Sequence, residues 1–366
     1  MYLFPILVLG ISFLSVFCIN SHSTRFRFQF PTVPTKYFGP GRVSHERMNH
    51  YRNVSRLLNV GSPWNAPSWV WNIAWKIQKF FLPLLYKFDR LQTKDSFVNL
   101  YVLWWKAIAG NRWGTRTYDG GYAYDLLPSW TRLIVAFPLC FLYPALHHQT
   151  VAMRTAFLDK SLTNELEKCS LSASNATIVI SLGGGFDTRS LRFRHNPRYS
   201  NVTFFELDLP DVIAQKERLL SRFYQRRPKL RSLGTPHLLS ADLNDTPSLK
   251  DSLTSIVQRF LEDKPSALLK RVIVVSEAVM LYVEPENIGS ALSTIPQVFS
   301  KDRGYECISL CFADRFVKVS IDEESPEVEK NRVAAFLHAF GNFRLDSFIV
   351  KPGKARHLGI AHAACA

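Results

Sequence analysis

The sequence lacks paired cysteines at metal-binding spacing, acidic residues near its start, and any internal repeat. Of its 366 residues, six are cysteines: Cys18, Cys140, Cys169, Cys307, Cys311 and Cys365. Cys307 and Cys311 stand four apart with no second pair at a zinc-like distance, so they read as buried thiols rather than a metal centre or a disulfide framework. The absence of repeats and of low-complexity tracts sets aside solenoid and linker-like organisations. Residues 1–88 carry ten Lys/Arg and a single acid, Glu46, so much of the +15 net charge lies outside the regular part of the chain. That charge suits an acidic partner (nucleic acid, a membrane surface or an anionic substrate) or a solvated basic surface. The 47% hydrophobic and 20% charged content describes a globular chain long enough to bury a full core.

No charged side chain precedes Arg25. Residues 1–24 therefore read as a signal peptide or a membrane anchor, at the short limit of what spans a bilayer. The basic, aromatic-rich region 25–110 follows, and the stretch "NSHSTRFRFQFPTVPTK" over 20–36, across that boundary, has transit-peptide composition. Together these point to targeting through the secretory route, to a plastid or a membrane-anchored location. Within 67–88, Trp69, Ile73, Ile77, Phe80 and Leu84 recur at helical spacing, either as a membrane-surface helix or as a helix packed on the domain. The apolar stretch 132–148 is short and broken by Pro138 and Pro144, and reads as a buried helical element.

From 151 onward the pattern becomes regular. Helical periodicity over 152–168 precedes apolar runs at 177–182, 202–207, 237–243, 271–277, 307–312 and 347–350, separated by amphipathic stretches. Near-continuous apolar runs alternating with helices predict a doubly wound, mostly parallel α/β sheet, here assigned to a domain over 111–366. Ligands of such sheets bind beyond the carboxyl ends of the strands. Those ends carry Gly183, Gly184 and Gly185, then Glu206 and Asp208, then Asp242, then Glu277.

The glycine stretch "VISLGGGFDTRSLRF" has Thr188 where a dinucleotide fingerprint needs its third glycine. Asp187, predicted to open the following helix, occupies the N-terminus where a pyrophosphate would sit, and would repel it. No P-loop motif occurs either. The bend suits a nucleoside without phosphates, and S-adenosylmethionine, a sulfonium carrying adenosine and an amino acid, fits. Asp208, 25 residues past Gly183, is placed for ribose hydroxyls.

"LGGGFDTRSLRF", "FFELDLPDVIAQKERLL", "SADLND" and "VVSEAVMLYVEPENI" resemble the leucine carboxyl methyltransferase family of S-adenosylmethionine-dependent O-methyltransferases over roughly 150–360. The resemblance implies a class I methyltransferase (Rossmann-like) sheet of seven strands, the last antiparallel. It implies that Gly183 lets the backbone approach the methionine part of the cofactor, and that Gly184, Gly185 and Asp187 belong to the same bend. Asp208, or alternatively Glu206, would hold the ribose; Asp242 and Leu243 would contact the adenine. Glu277 would lie near the amino acid end and the substrate entrance. Arg154 resembles the family arginine that pairs with the methionine carboxylate, and Tyr282 matches a family tyrosine on the acceptor side. Arg189 reads as a solvated helix charge or a partner of Asp187.

Methyl transfer from a sulfonium is an in-line displacement governed by positioning and electrostatics. A carboxylate acceptor is already ionised and needs no general base. No His–Asp dyad follows the fourth strand, which suits that case. The expected acceptor is a carboxylate or hydroxyl of a small molecule or a protein C-terminus, with membrane association through the N-terminus as a further expectation. A nucleic-acid methyltransferase is the alternative raised by "RRPKLR" at 226–231, but the Asp/Asn-Pro-Pro-aromatic motif is missing after the fourth strand, so no nucleic acid is expected. A non-catalytic, membrane-attached methyltransferase-like protein is the third reading.

Overall fold

The computed structural model describes residues 99, 100, 102–104, 106, 107, 121–129, 132, 145–169, 175–264, 268–300, 304–317, 326–349 and 357–363. The signal or anchor segment, most of the region 25–110, the helix expected over 67–88 and much of 132–148 lie outside them. Among the described residues no helix is long and apolar enough to cross a membrane.

A short helix α1 (Tyr122–Leu126) and the long helix α2 (Ala145–Cys169) precede a strand–helix alternation. It runs β1 (Asn175–Leu182), α3 (Arg189–Arg194), β2 (Val202–Asp208), α4 (Pro210–Arg226), β3 (His237–Ser240), α5 (Thr246–Asp263), β4 (Leu268–Glu277), α6 (Pro285–Val298) and β5 (Cys307–Asp314). Helix α7 (Pro326–Gly341) and the strands β6 (Phe343–Ile349) and β7 (His357–Ala363) close the chain. The seven strands form one sheet in the order β3-β2-β1-β4-β5-β7-β6. Strands β1 to β5 pair in parallel, and β7 runs antiparallel to both β5 and β6. This is the class I methyltransferase sheet: mixed, with only the seventh strand reversed.

Alternate residues of the central strands serve two separate cores, which is why the sequence shows unbroken apolar runs rather than alternation. Ile178, Ile180, Val272, Val274, Leu310 and Phe312 pack against α5, α6 and α7. Val179, Ile273, Val275, Cys311 and Ala313 face α2 through Leu158, Leu162 and Leu166. A third cluster joins Leu100, Leu103 and Ala107 to α1 and to the apolar face of α4. It fastens the helical residues around Lys106 over the β1–α3 connection, where Phe186 and Leu191 belong to the same cluster.

Several element ends depart from expectation. Helix α3 starts at Arg189, with Thr188 in the N-cap position, so Asp187 lies outside the helix rather than opening it. Its carboxylate is drawn away by Lys106 and Arg189. Strand β3 stops at Ser240, short of the run 237–243, because Asp242 begins a turn in which its carbonyl accepts from Asp245 N at 3.1 Å. Strand β6 starts four residues before the run at 347–350.

Candidate active site

The strand order reverses between β1 and β4, which leaves a crevice beyond their carboxyl ends. Leu182 lies beside Ser276 in the ladder, so the bend starting at Gly183 and the acid Glu277 leave the sheet side by side. Gly183 and Gly185 have φ of 55° and 47°. That left-handed backbone costs a residue with a Cβ about 1–2 kcal/mol. Space is absent as well: a Cβ on Gly183 would overlap the Val279 side chain, and one on Gly185 would sit 2.5 Å from Asn99 Oδ1.

Asp208, at the end of β2, reaches under this bend. Its Oδ2 accepts from Gly185 N at 2.6 Å and its Oδ1 from Leu209 N at 2.8 Å. Burial pushes its carboxyl up to about 6, against the pull of those two N–H groups. Glu206, two residues earlier, is 1% exposed and paired with the equally enclosed Lys216. Burial raises its carboxyl too, with Lys216 opposing. Lys216 also donates to the carbonyl of Asp187 at 2.9 Å, tying α4 to the glycine bend. Of the two acids of β2, Asp208 is therefore the one bonded to the bend, and Glu206 supports it from beneath.

Glu277 is the centre of the charge arrangement. Its Oε1 accepts from Arg154 Nε at 2.6 Å. Its Oε2 accepts from Arg189 Nη2 at 2.8 Å and from Lys106 Nζ at 3.2 Å. Lys106 also binds Asp187 at 2.7 Å, and Arg189 bonds Asp187 at 2.5 Å and Asp159 at 2.7 Å. Arg192 joins Asp159 at 2.8 Å. Burial opposes ionisation of Glu277 and Asp187, yet Lys106, Arg154 and Arg189 around the first and Arg189, Lys106 and Arg192 around the second outweigh it and hold both carboxyls well below the usual range. Burial likewise opposes the charge on Arg189, but Asp187, Glu277 and Asp159 overcome it.

Arg154 differs from the other cations. It is 5% exposed, and among the described residues its only polar partner is Glu277, through Nε. Its terminal amino groups make no bond to another described residue, so a buried guanidinium fork beside the crevice is left to receive a planar anion in two-point fashion.

The remaining expected positions spread around this centre. Asp242 Oδ1 accepts from Asn244 N at 2.9 Å, which shapes the turn after β3. Leu243 is buried in the apolar core that also holds Leu239, Leu249 and Met280. Tyr282 is 37% exposed and donates its N–H to Val279 O at 2.8 Å. Among the described residues no group of His, Cys, Asp and Glu could hold a metal ion. Cys311 is fully buried, and burial pushes its thiol up, as expected of an inert thiol.

Two contributors escape a reading of the sequence. Lys106 lies in a region that departs from the family pattern, and no motif surrounds it. Arg189 reads as a solvated helix charge or a partner of Asp187; it is 2% exposed and does bond Asp187, and what the sequence did not reveal is its further bonds to Asp159 and Glu277. The signal for both was the number of carboxylates converging on the strand ends, which needs buried cations to balance it.

A family model described as leucine carboxyl methyltransferase matches residues 143–296. No curated protein sequence matches the chain. Among solved structures, a pericyclic reaction enzyme is 10% identical with a TM-score of 0.30, over 53% of this chain and 45% of that one. An O-methyltransferase family protein from Burkholderia thailandensis is 11% identical with a TM-score of 0.31, over 58% of this chain and 59% of that one. An O-methyltransferase from Nostoc punctiforme, itself assigned only provisionally, is 11% identical with a TM-score of 0.34, over 74% of this chain and 71% of that one. The chain spans 45% and 59% of the first two, about half their length, and likeness at these TM-scores has no bearing on the reaction. Strand order, the glycine bend with its acids, and the match over 143–296 agree: that segment is similar to leucine carboxyl methyltransferases.

Proposed function

We propose that this protein transfers the methyl group of S-adenosylmethionine to an oxygen of its acceptor, a carboxylate or hydroxyl of a small molecule or of a protein C-terminus. The observation that carries the reading is Arg154: a buried guanidinium held through Nε by Glu277, with no bond from its terminal amino groups to another described residue, beside a left-handed glycine bend. That fork suits the methionine carboxylate, and Asp208 beneath Gly185 suits the ribose hydroxyls. Among the described residues, ion pairs join Lys106, Arg154, Arg189 and Arg192 to Asp159, Asp187 and Glu277, and Arg154 takes part in one of them.

The cofactor supplies the electrophilic methyl carbon. The chain's own task is to hold the donor in line with the acceptor oxygen and to exclude water, a role in which positioning accounts for most of the acceleration. A carboxylate acceptor needs no proton removed, in keeping with a centre whose acids are all committed to cations or backbone N–H groups.

Calorimetric titration with S-adenosylhomocysteine tests the cofactor site, and saturable one-to-one binding is expected. Incubation with labelled methyl donor and a cell extract tests the acceptor. Label released by mild base identifies an ester and hence a carboxylate, stable label identifies an ether, and label confined to nucleic acid overturns the proposal.

A further inference from the structure

At the end of β5, next to the site but outside it, lies a carboxylate that none of the contacts above uses. Asp314 is 0% exposed, and none of the described ion pairs involves it. A buried carboxylate without a cation must be stabilised by hydrogen bonds donated to it. Asp314 has four donors. Ser276 Oγ donates at 2.6 Å, Val279 N at 2.9 Å, Met280 N at 3.1 Å and Arg315 N at 2.8 Å. Three of the four come from the chain on either side of Glu277.

That stretch has an unusual path. Ala278, directly after Glu277, has φ of 59°, a left-handed conformation that a residue with a Cβ disfavours. Its N–H bonds to Ala313 O at 3.1 Å, so β4 stays paired to β5 up to the turn. The next residue, Val279, lies where any Cβ on Gly183 would go. The turn from 276 to 280 thus fixes two things together: how Glu277 enters the cation cluster, and how closely the glycine bend approaches its neighbour.

We propose that Asp314 is a positioning residue for the cofactor site: by gathering the N–H groups of Val279 and Met280 and the hydroxyl of Ser276, it holds the Ala278 turn in its left-handed form and so aims Glu277 at Arg154. The inference rests on the reading of this site as one for S-adenosylmethionine. An asparagine there offers one acceptor oxygen in place of two and turns an NH2 toward donors, so the turn loses the groups that hold it.

The test uses the full chain and S-adenosylhomocysteine as the probe, at a temperature where circular dichroism shows each variant folded. Asp314→Asn is expected to weaken binding about tenfold and Ser276→Ala about threefold, in the range that the loss of buried hydrogen bonds to a charged group produces. The same variants combined with Arg154→Ala separate positioning from general loosening. If Asp314 acts through Glu277 on Arg154, the double variant binds no more than twofold worse than Arg154→Ala alone; losses that multiply overturn the inference. Should Asp314→Asn fail to fold, Ser276→Ala carries the same comparison, because it leaves the backbone donors in place. Wild-type affinity in the single variants also overturns it, whereas absence of binding by the wild-type chain refutes the cofactor reading instead.

Discussion

Asp208 offers a sharp test, because its environment gives it a proton affinity that the cluster carboxylates Glu277 and Asp187 lack. Burial places its carboxyl at about 6, while Glu277 and Asp187 stay ionised far into the acid range. Ribose hydroxyls donate to the ionised form, so binding should follow its ionised fraction. With a value of about 6, roughly nine tenths of Asp208 is ionised near pH 7 and about one tenth near pH 5, a loss of about tenfold in affinity, or about 1.4 kcal/mol. The fold itself moves in the opposite direction. An acid whose folded value is raised holds its proton more tightly folded than unfolded, so the unliganded chain loses this contribution as pH climbs from 3.8 towards 6. Isothermal titration with S-adenosylhomocysteine between about pH 5 and pH 8 should show affinity rising through about 6, and Asp208→Asn should be weak and flat across that range. A wild-type profile without inflection, or the same inflection in Asp208→Asn, would refute the ribose assignment.

Three further outcomes are expected. Arg154→Ala should weaken cofactor binding by about 1–3 kcal/mol through loss of a charge-assisted pair, measured by the same titration; an effect limited to the acceptor would move Arg154 to another role. Gly183→Ala should cost about 2–5 kcal/mol in denaturant unfolding, combining left-handed strain with overpacking against Val279. Adding Val279→Ala should restore only part of it, since the remaining Cβ lies 2.6 Å from the added methyl. At the opposite end of the sheet, His362 bridges Glu165 at 2.9 Å and Asp346 at 2.5 Å, with Ser309 and Lys168 also on Glu165. The hydrogen bond that His362 donates to Glu165 raises His362, a contribution complete below 6.5 and lost as pH rises through the raised value. Despite burial, His362, Lys168 and Ser309 lower Glu165 to about 2, a contribution complete above 4.5 and lost as pH falls towards 2. The melting difference between wild type and His362→Gln should therefore be largest between 4.5 and 6.5; a difference that does not change with pH would show that the bridge is not ionic.

What the sequence discloses follows from how each element is buried. Strands β1, β2, β4 and β5 are enclosed on both faces, so their apolar runs stand out. Strand β7 does not, because "HLGIAHA" carries two histidines and a glycine, and only the family resemblance anticipated a seventh strand. Gly359, which weakens the strand signal, is required by packing: a Cβ there would overlap the Phe312 ring and sit 2.7 Å from Ser347 O. At the edge strand β6, exposed Arg344 and Asp346 interrupt the apolar pattern, which hid its first half. In the site, the glycines and the acids were legible because their chemistry is tied to strand ends. Lys106 was not, nor were the bonds of Arg189 to Asp159 and Glu277, since a cation's burial depends on which carboxylates the fold brings near it, and that information is tertiary.

The meeting of three cations on Glu277 makes the site fail unevenly. Deleting Lys106, Arg154 or Arg189 leaves the carboxylate with two partners, a loss the cluster can absorb. Deleting the carboxylate takes one partner from Lys106 and from Arg189 and removes the only described partner of Arg154, and breaking such a buried pair costs about 3–5 kcal/mol. Drift in this chain should therefore reach the basic members of the cluster long before it reaches their shared acid.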